Sequence, residues 1–69
     1  MGEFPALPFE RLLKKAGAKR VSAGAAEEMA KVMEEKIARI AEEAAMLAEH
    51  AGRKTIIDED VRLARRKFE

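Results

Sequence analysis

The chain has 69 residues and no cysteine, so we expect neither disulfide bonds nor a cysteine-based metal site to stabilise it. A chain of this length buries only about 60% of the surface that it exposes when unfolded, which leaves a lone domain marginally stable. No apolar run approaches the roughly 20 residues that a bilayer-spanning helix needs. We therefore expect one soluble, cytoplasmic domain over residues 1–69, with no membrane partner, stabilised by a partner chain or by close helix packing.

The composition is typical of long helices. Ala, Glu, Lys, Arg, Leu and Met are frequent, whereas the chain has three Phe and neither Trp nor Tyr, which predicts an all-α fold. The net charge of +1 hides a pattern along the chain: residues 1–22 carry +3, residues 23–49 carry −4 and residues 50–69 carry +2. The weak overall charge therefore conceals two basic end segments around an acidic middle.

The first helix is predicted to begin at Pro8, whose fixed φ and missing N–H suit the first helical position. Apolar residues then recur at helical spacing, at Phe9, Leu12, Leu13 and Ala16. Gly17 is expected to end the helix in a left-handed conformation. The basic segment 18–21 that follows is predicted to be extended.

The second helix is predicted to run from Ala23 to Ala51, with Ser22 as its N-cap and Gly52 closing it. About 28 residues at 1.5 Å each span about 42 Å, whereas a compact globule of this length is less than about 30 Å across. The helix is thus longer than the domain that a single chain could form. Its ends are expected to project unless a second molecule covers them.

An apolar stripe follows this long helix and is extensive enough to contact two partners at once. It comprises Met29, Val32, Met33, Ile37, Ile40, Ala41, Ala44, Leu47, Ala48 and Ala51. We infer an obligate dimer whose long helices cross along the stripe, with the alanines permitting a close approach. Lys36 lies near the middle of the stripe, and we expect its stem to be buried while its ammonium group reaches outward.

The last segment is predicted to be a short extended piece over residues 54–56 followed by a final helix with Asp58 as its N-cap. The apolar positions of that helix are Val61, Leu63, Ala64 and Phe68. Acidic residues 59–60 suit the positive end of the helix dipole, and basic residues 65–67 suit its negative end. The predicted order is short helix, basic turn, long helix, basic turn, short helix.

This layout and the residues that fill it resemble the archaeal histones over nearly the whole chain, including the opening segment 3–8. The matching residues are Arg11, Lys14, Ala16-Gly17-Ala18, Arg20-Val21-Ser22, His50 to Ile56, Glu59-Asp60 and Arg65 to Phe68. A helix-turn-helix pattern alone would be weak. Two basic loops together with the ordered His-Ala-Gly-Arg-Lys-Thr run make the resemblance specific.

The resemblance implies a histone fold that dimerises head to tail in a handshake, placing the first loop of one chain beside the second loop of the other. In archaeal histones the residue matching Arg20 enters the minor groove and is oriented by the hydroxyl matching Thr55. The same likeness implies that Lys54 contacts phosphate, and that Arg11 and Lys14 contact the DNA backbone. Such binding depends on phosphate neutralisation and duplex bending rather than on base recognition.

The basic residues also have a simpler explanation. Lys14, Lys15 and Lys19 taken alone would be a solvated helix face, and only their combination with the loop residues favours a contact with DNA. Basic residues 65–67 are better explained as helix-dipole partners and solubilising charges than as DNA contacts.

The resemblance further implies an interface between dimers that is formed by Leu47, His50, Asp60 and Leu63. His50 would meet Asp60 of the next dimer, with the leucines packing around them. Within the chain, Arg53 would pair with Asp60 and hold the second loop against the last helix. Because His50 is the only histidine and no cysteine can assist it, we expect neither a metal nor a catalytic role for it.

No nucleophile with a neighbouring base, acid pair or phosphate loop is present in the sequence, so we predict a protein that is not an enzyme and has no cofactor. The sequence also departs from the archaeal pattern. Ile57 stands where that pattern usually has a lysine beside the second loop, Ala23-Gly24 replaces an acidic pair, and Ile37 occupies a position that is often small. The loss of a lysine at position 57 removes one expected phosphate contact.

We expect a chromosome-associated chromatin protein that dimerises with itself or with a paralogue, binds double-stranded DNA with little sequence specificity and wraps it through further dimers. One alternative is a histone-fold dimer that binds or bridges DNA without continuous wrapping. Another is a helical protein-protein interaction module that meets its partner through the acidic middle of the long helix.

Overall fold

The computed structural model describes residues 4–69 and contains three helices in this range: α1 (Leu7–Lys15), α2 (Ala23–His50) and α3 (Asp58–Lys67). No strand occurs in the described range. The predicted all-α order of a short, a long and a short helix is confirmed. Residues 1–3, which include Glu3 of the opening segment, lie outside the described part.

The first two helices begin within one residue of the predicted positions. α1 starts at Leu7, one residue earlier than predicted, and Pro8 occupies its first turn, where a missing N–H costs no intrahelical hydrogen bond. Ser22 caps α2 as predicted, because its Oγ accepts a hydrogen bond from the N–H of Ala25 at 3.0 Å. The side chain of Ser22 thus satisfies a backbone donor that the helix itself leaves unpaired.

The prediction that Asp58 is the N-cap of α3 is wrong. The N-cap is Ile57, whose backbone is extended (φ −111°, ψ 171°), and Asp58 is the first helical residue. The reason is that the carboxylate of Asp60, three residues into the segment, accepts the Ile57 N–H at 2.9 Å and supplies the capping acceptor. Asp58 instead pairs with Arg62 one turn later at 3.2 Å.

The first loop begins at a glycine with positive φ, as predicted. Gly17 has φ of 124°, and its N–H donates to the carbonyl of Lys14 at 3.0 Å. The N–H of Ala18 reaches back to the carbonyl of Leu13 at 3.1 Å. These two bonds form the Schellman pattern that satisfies the last carbonyls of a helix.

The second loop begins in the same way. α2 ends at His50, one residue before the predicted end, and Gly52 follows with φ of 77°. The N–H of Gly52 donates to the carbonyl of Glu49, and the N–H of Arg53 donates to the carbonyl of Ala48, both at 2.9 Å. Both loops thus begin with the same hydrogen-bond pattern at the end of a helix.

The two loops are not extended throughout, contrary to the prediction. The backbone bends at Lys19 in the first loop and at Lys54 and Thr55 in the second. In the second loop the Arg53 side chain explains the bend, since its Nη1 donates to the carbonyl of Thr55 at 3.0 Å. This bond folds the backbone back toward Arg53 and ends the extended path.

An ion pair ties the second loop to α3. Arg53 Nη1 lies 2.8 Å from Asp60 Oδ2, and Nη2 lies 2.8 Å from Oδ1, so the contact is bidentate. Asp60 is only 3% exposed. Its pKa is lowered to about 2, first by the hydrogen bond from Arg53 and then by that from Ile57, while desolvation acts in the opposite direction. The same hydrogen bond with Asp60 raises the pKa of Arg53.

The described contacts divide the chain into two units, Met1–Glu35 and Lys36–Glu69. In the first unit the buried residues are Ala26 and Ala30, and the rings of Phe4 and Phe9 lie 6.3 Å apart at 58°. In the second unit the buried apolar residues are Ala44, Ala48 and Ala64. The single domain predicted over residues 1–69 stays a prediction.

Each unit leaves large apolar side chains exposed. No large side chain is fully buried among the described residues. The exposed fractions are at least 38% for Leu7, Leu12, Val32, Ile37, Met46, Ile56, Ile57, Val61 and Leu63. Exposed apolar surface of this kind is typical of sites where proteins contact one another.

Substitution of two glycines should change stability in opposite directions. Gly52→Ala should lower the free energy of unfolding by about 1–2 kcal/mol, because a Cβ disfavours the left-handed conformation. Gly24→Ala should raise it by about 0.5–1 kcal/mol, because Gly24 is helical and no atom lies within 4 Å of an added Cβ. Urea denaturation followed by circular dichroism measures both. Equal effects would show that the loop does not depend on the positive φ.

The Arg53–Asp60 pair should make stability depend on acid. Because the folded pKa of Asp60 is about 2 and its ordinary value is 3.8, the contribution is complete above pH 3.8 and is lost as the pH falls toward 2. Asp60→Asn should lower the melting temperature at pH 5 by roughly 5 °C and flatten its decline toward pH 2. Asp58→Asn is the matched control, since its side chain is 79% exposed. Similar pH profiles for both variants would contradict a special role for Asp60.

Candidate nucleic-acid interface

The first group of predicted contact residues lies on α1 and in the loop after it. Arg11, Lys14 and Arg20 are all exposed. Arg11 and Lys14 are three residues apart and therefore share a helix face. Lys14 Nζ lies 3.3 Å from Glu10 Oε2, in an exposed pair of the kind that contributes little to stability. Arg11 and Arg20 form no ion pair or side-chain hydrogen bond within residues 4–69, so their guanidinium groups are free to meet an anion.

The second group lies on the bend after α2. Lys54 and Thr55 are adjacent and exposed, and Lys54 has no ion-pair partner in the described part of the chain. The carbonyl of Thr55 is held by Arg53, which is itself held by Asp60. Lys54 and Thr55 thus follow one another on a bend whose backbone is held by Arg53 and Asp60.

Two cations near the first loop were not in the predicted contact set. Lys15 ends α1 and Lys19 precedes Arg20, and both are exposed without an ion pair among the residues that the structure describes. The sequence signal that points to these two lysines as possible contacts is their position beside Gly17 and Arg20. Taken alone it favours solvation, because exposed lysines without a partner are usually solvated.

The second loop also carries exposed apolar surface. Ile56 and Ile57 are 45% and 38% exposed and directly follow the Lys54–Thr55 bend. Ile57 supplies no charge at the position where the archaeal pattern usually has lysine. The positive charge that the bend itself can offer to an anion is therefore that of Lys54 alone, since Arg53 is neutralised by Asp60.

The four residues predicted for an interface between dimers differ in accessibility. His50 is exposed, Leu63 is 44% exposed and Leu47 is half-buried. Asp60 has a side-chain exposure of only 4%, and both of its oxygens already accept hydrogen bonds from Arg53 and Ile57. The accessible members of the set are therefore His50 and Leu63, and Asp60 serves the second loop of its own chain.

Neither a metal cluster nor a membrane-spanning helix is found in the described residues. No group of three or more His, Cys, Asp or Glu side chains between residues 4 and 69 is arranged to hold a metal ion. None of the helices in that range has the length and apolar character that crossing a bilayer requires.

Comparison with known proteins shows the family to which this chain belongs. A family model described as histone-like transcription factor (CBF/NF-Y) and archaeal histone matches residues 2–64. A subunit of the archaeal histone HAN1 from Thermococcus zilligii is 50% identical over 64 residues, covering 93% of this chain and 96% of the relative. The probable archaeal histone 3 of Methanocaldococcus jannaschii is 48% identical over 66 residues, covering 96% and 98%. With its short, long and short helices, the chain belongs to the family of histone-like transcription factors and archaeal histones.

Proposed function

We propose that the chain is a chromatin protein of the nucleoid that binds duplex DNA as a histone-fold dimer, with little sequence specificity. The observation that carries the proposal is the pair of exposed basic loops, one starting at the Schellman glycine after α1 and the other at the Schellman glycine after α2, in a chain about half identical to archaeal histones. Structural DNA binding of this kind needs no catalytic group.

The exposed apolar surface supports the dimer. Leu7 and Leu12 of α1 and Val32 of α2 are each more than half exposed, so the chain alone leaves them in water. A second histone-fold chain would cover them, in the handshake that the family resemblance implies. The relative from Thermococcus zilligii is named as one subunit of a histone, which supports pairing with either a second copy or a paralogue.

The handshake would bring the first loop of one chain beside the second loop of the other. Arg20 would then lie near Lys54 and Thr55 of the second chain and form a cationic ledge at each end of the dimer. Arg20 enters the minor groove, Thr55 orients it and Lys54 contacts phosphate, while Arg11 and Lys14 contact the backbone from α1. The binding free energy comes from counterion release, whereas bending the duplex costs deformation energy that the added contacts offset.

Loss of either loop cation should weaken DNA binding at every sequence. Arg20→Ala or Lys54→Ala removes two contacts per dimer, so the slope of log affinity against log salt should become shallower by about 2. Lys31→Ala is the control, because it removes an equal charge from a side chain that is 66% exposed on α2. Electrophoretic mobility at several salt concentrations measures the slopes, and circular dichroism and sizing verify the fold.

Two outcomes would contradict the DNA contacts. Equal weakening by Lys31→Ala would indicate a general charge effect rather than contact by the loops. Absence of duplex binding at low salt would reject DNA binding altogether and leave a helical interaction module that uses the acidic middle of α2.

We further propose that dimers associate on DNA into a wrap through His50 and Leu63, which are exposed, and through the half-buried Leu47, which precedes His50 by three residues on α2. Asp60 is the fourth residue of this interface in the family resemblance. Its burial and its bonds to Arg53 and Ile57 favour the second candidate, a dimer that bends or bridges DNA without continuous wrapping.

Nuclease protection over a range of protein-to-DNA ratios separates these candidates. A ladder that grows in regular steps supports wrapping by successive dimers, and a single short footprint supports the isolated dimer. Leu63→Glu should abolish the ladder while leaving the dimer intact, because a carboxylate cannot pack in an apolar contact. Ala45→Glu adds the same charge at an exposed position of α2 away from its midpoint and should preserve the ladder. An unchanged ladder for Leu63→Glu would reject the proposed face.

A further inference from the structure

A shallow groove lies where the C-terminal end of α2 meets the second loop. Its lining includes Met46 and Glu49 of α2 and Lys54 and Ile56 of the loop, all within the second unit of the chain. Met46 is 62% exposed and Ile56 is 45% exposed. The groove therefore leaves apolar surface in water next to Lys54, the lysine that is proposed to contact phosphate.

The groove contains a carboxylate that is available to a cation from outside. Glu49 is exposed and forms no ion pair or side-chain hydrogen bond in the described part of the chain, not even with Lys54. One turn earlier on α2, residues 45–46 carry no charge. The cation four residues later is Arg53, whose two terminal nitrogens already bind Asp60. A second chain could therefore supply the cation that Glu49 lacks.

The first loop carries positive charge that nothing nearby in sequence offsets. Lys19 is exposed, directly precedes Arg20 and has no ion-pair partner among the residues that the structure describes. No acidic residue occurs between Glu10 and Glu27, whereas five basic residues lie in this interval. Glu10 itself pairs with Lys14. The first loop thus has no carboxylate of its own to pair with Lys19.

The proposed handshake would bring these two features together. Placing Arg20 beside residues 54–55 of the second chain also brings Lys19 to the groove, because Lys19 and Arg20 are consecutive. Lys19, Arg20 and Lys54 would then repel one another unless a carboxylate lay among them. Glu49 lines the same groove as Lys54 and is placed to supply that carboxylate.

We infer that this groove receives the first loop of a second copy of the chain, in which Lys19 pairs with Glu49. The inference rests on the proposed dimer and deepens it by naming the contact that offsets the repulsion between two basic loops. A second copy fits because one chain carries both halves of the contact, so a two-fold dimer forms the pair twice. The loop removes Met46 and Ile56 from water, and the ion pair fixes its position.

Exchange of the two charges tests the pair. Glu49→Lys faces Lys19 of the second copy with a like charge, so the dissociation constant of the dimer should rise about tenfold at low salt, since two modest attractions become repulsions. Adding Lys19→Glu restores the pair with its signs exchanged and should return the constant to within about threefold of the natural value. The dependence of urea unfolding on chain concentration, followed by circular dichroism without DNA, measures the constant.

Comparison of two backgrounds distinguishes Glu49 from Lys54 as the partner of position 19. Lys19→Glu should strengthen the dimer in the Glu49→Lys chain but not in the natural chain, where the new carboxylate faces Glu49. An equal gain in both backgrounds would show that Lys54 attracts the new carboxylate, and would overturn the inference. The gain should shrink as salt rises, because screening weakens exposed charge pairs.

Lys15 provides the matched control. Lys15→Glu makes the same change in charge at the end of α1, at an exposed position without an ion pair in the described range. It should not restore the dimer of the Glu49→Lys chain. Equal restoration by Lys15→Glu would assign the effect to net charge and would contradict the contact.

The remaining outcomes separate this contact from the dimer itself. An unfolding midpoint of the natural chain that does not change with concentration rejects the proposed dimer. A concentration-dependent midpoint that Glu49→Lys leaves unchanged keeps the dimer and overturns the contact. Weakening by Glu49→Lys would not reflect a weaker helix, because a lysine suits the C-terminal end of α2. If Glu49→Lys is unfolded alone, recovery of helical circular dichroism on adding Lys19→Glu supports the contact, and failure to recover contradicts it.

Discussion

Only small side chains are buried in the described part of this chain. This limits how much apolar packing can stabilise the fold. The buried apolar residues of the described chain are alanines, two in the first unit and three in the second. Alanine lets helices approach closely, yet each one removes little apolar area from water. The larger side chains such as Leu12 and Val32 remain more than half exposed. The proposed second chain would cover them, and folding and association would then become one process.

The Arg53–Asp60 pair orders the proposed interface in a chain whose apolar packing is limited. A short loop cannot bury enough surface to fix its own conformation, so charge-assisted hydrogen bonds fix it instead. Arg53 holds the carbonyl of Thr55 and the carboxylate of Asp60, and Asp60 holds the start of α3. The bend that presents Lys54 is thereby ordered before any ligand arrives, which lowers the entropy cost of binding. The same bonds occupy the carboxylate, so loop order and assembly through Asp60 compete for one group.

Much of this fold could be predicted from the sequence, because some residue types suit only one kind of backbone position. The remainder could not be predicted where several similar side chains could fill the same role. Few other positions would suit Gly17, Gly52 and Ser22. A glycine with positive φ is typical of the residue after a helix, and a hydroxyl that accepts a backbone N–H is typical of the N-cap. The cap of α3 was mispredicted because residues 58–60 are all acidic, and only the folded loop decides which carboxylate accepts the Ile57 N–H. The candidate contact residues came from the family resemblance. Spacing alone cannot join residues 20 and 54, because the proposed pairing would be between two chains.

The position of the charges matters more than their sum for the proposed binding of DNA. The chain carries only +1 overall, so a dimer's attraction to a duplex depends on where its cations lie. Residues 1–22 and 50–69, which include both loops, carry +3 and +2, whereas residues 23–49 carry −4. The proposed dimer would therefore attract phosphate at its loops and repel it along the middle of α2, which would hold the duplex to the surface that carries the loops.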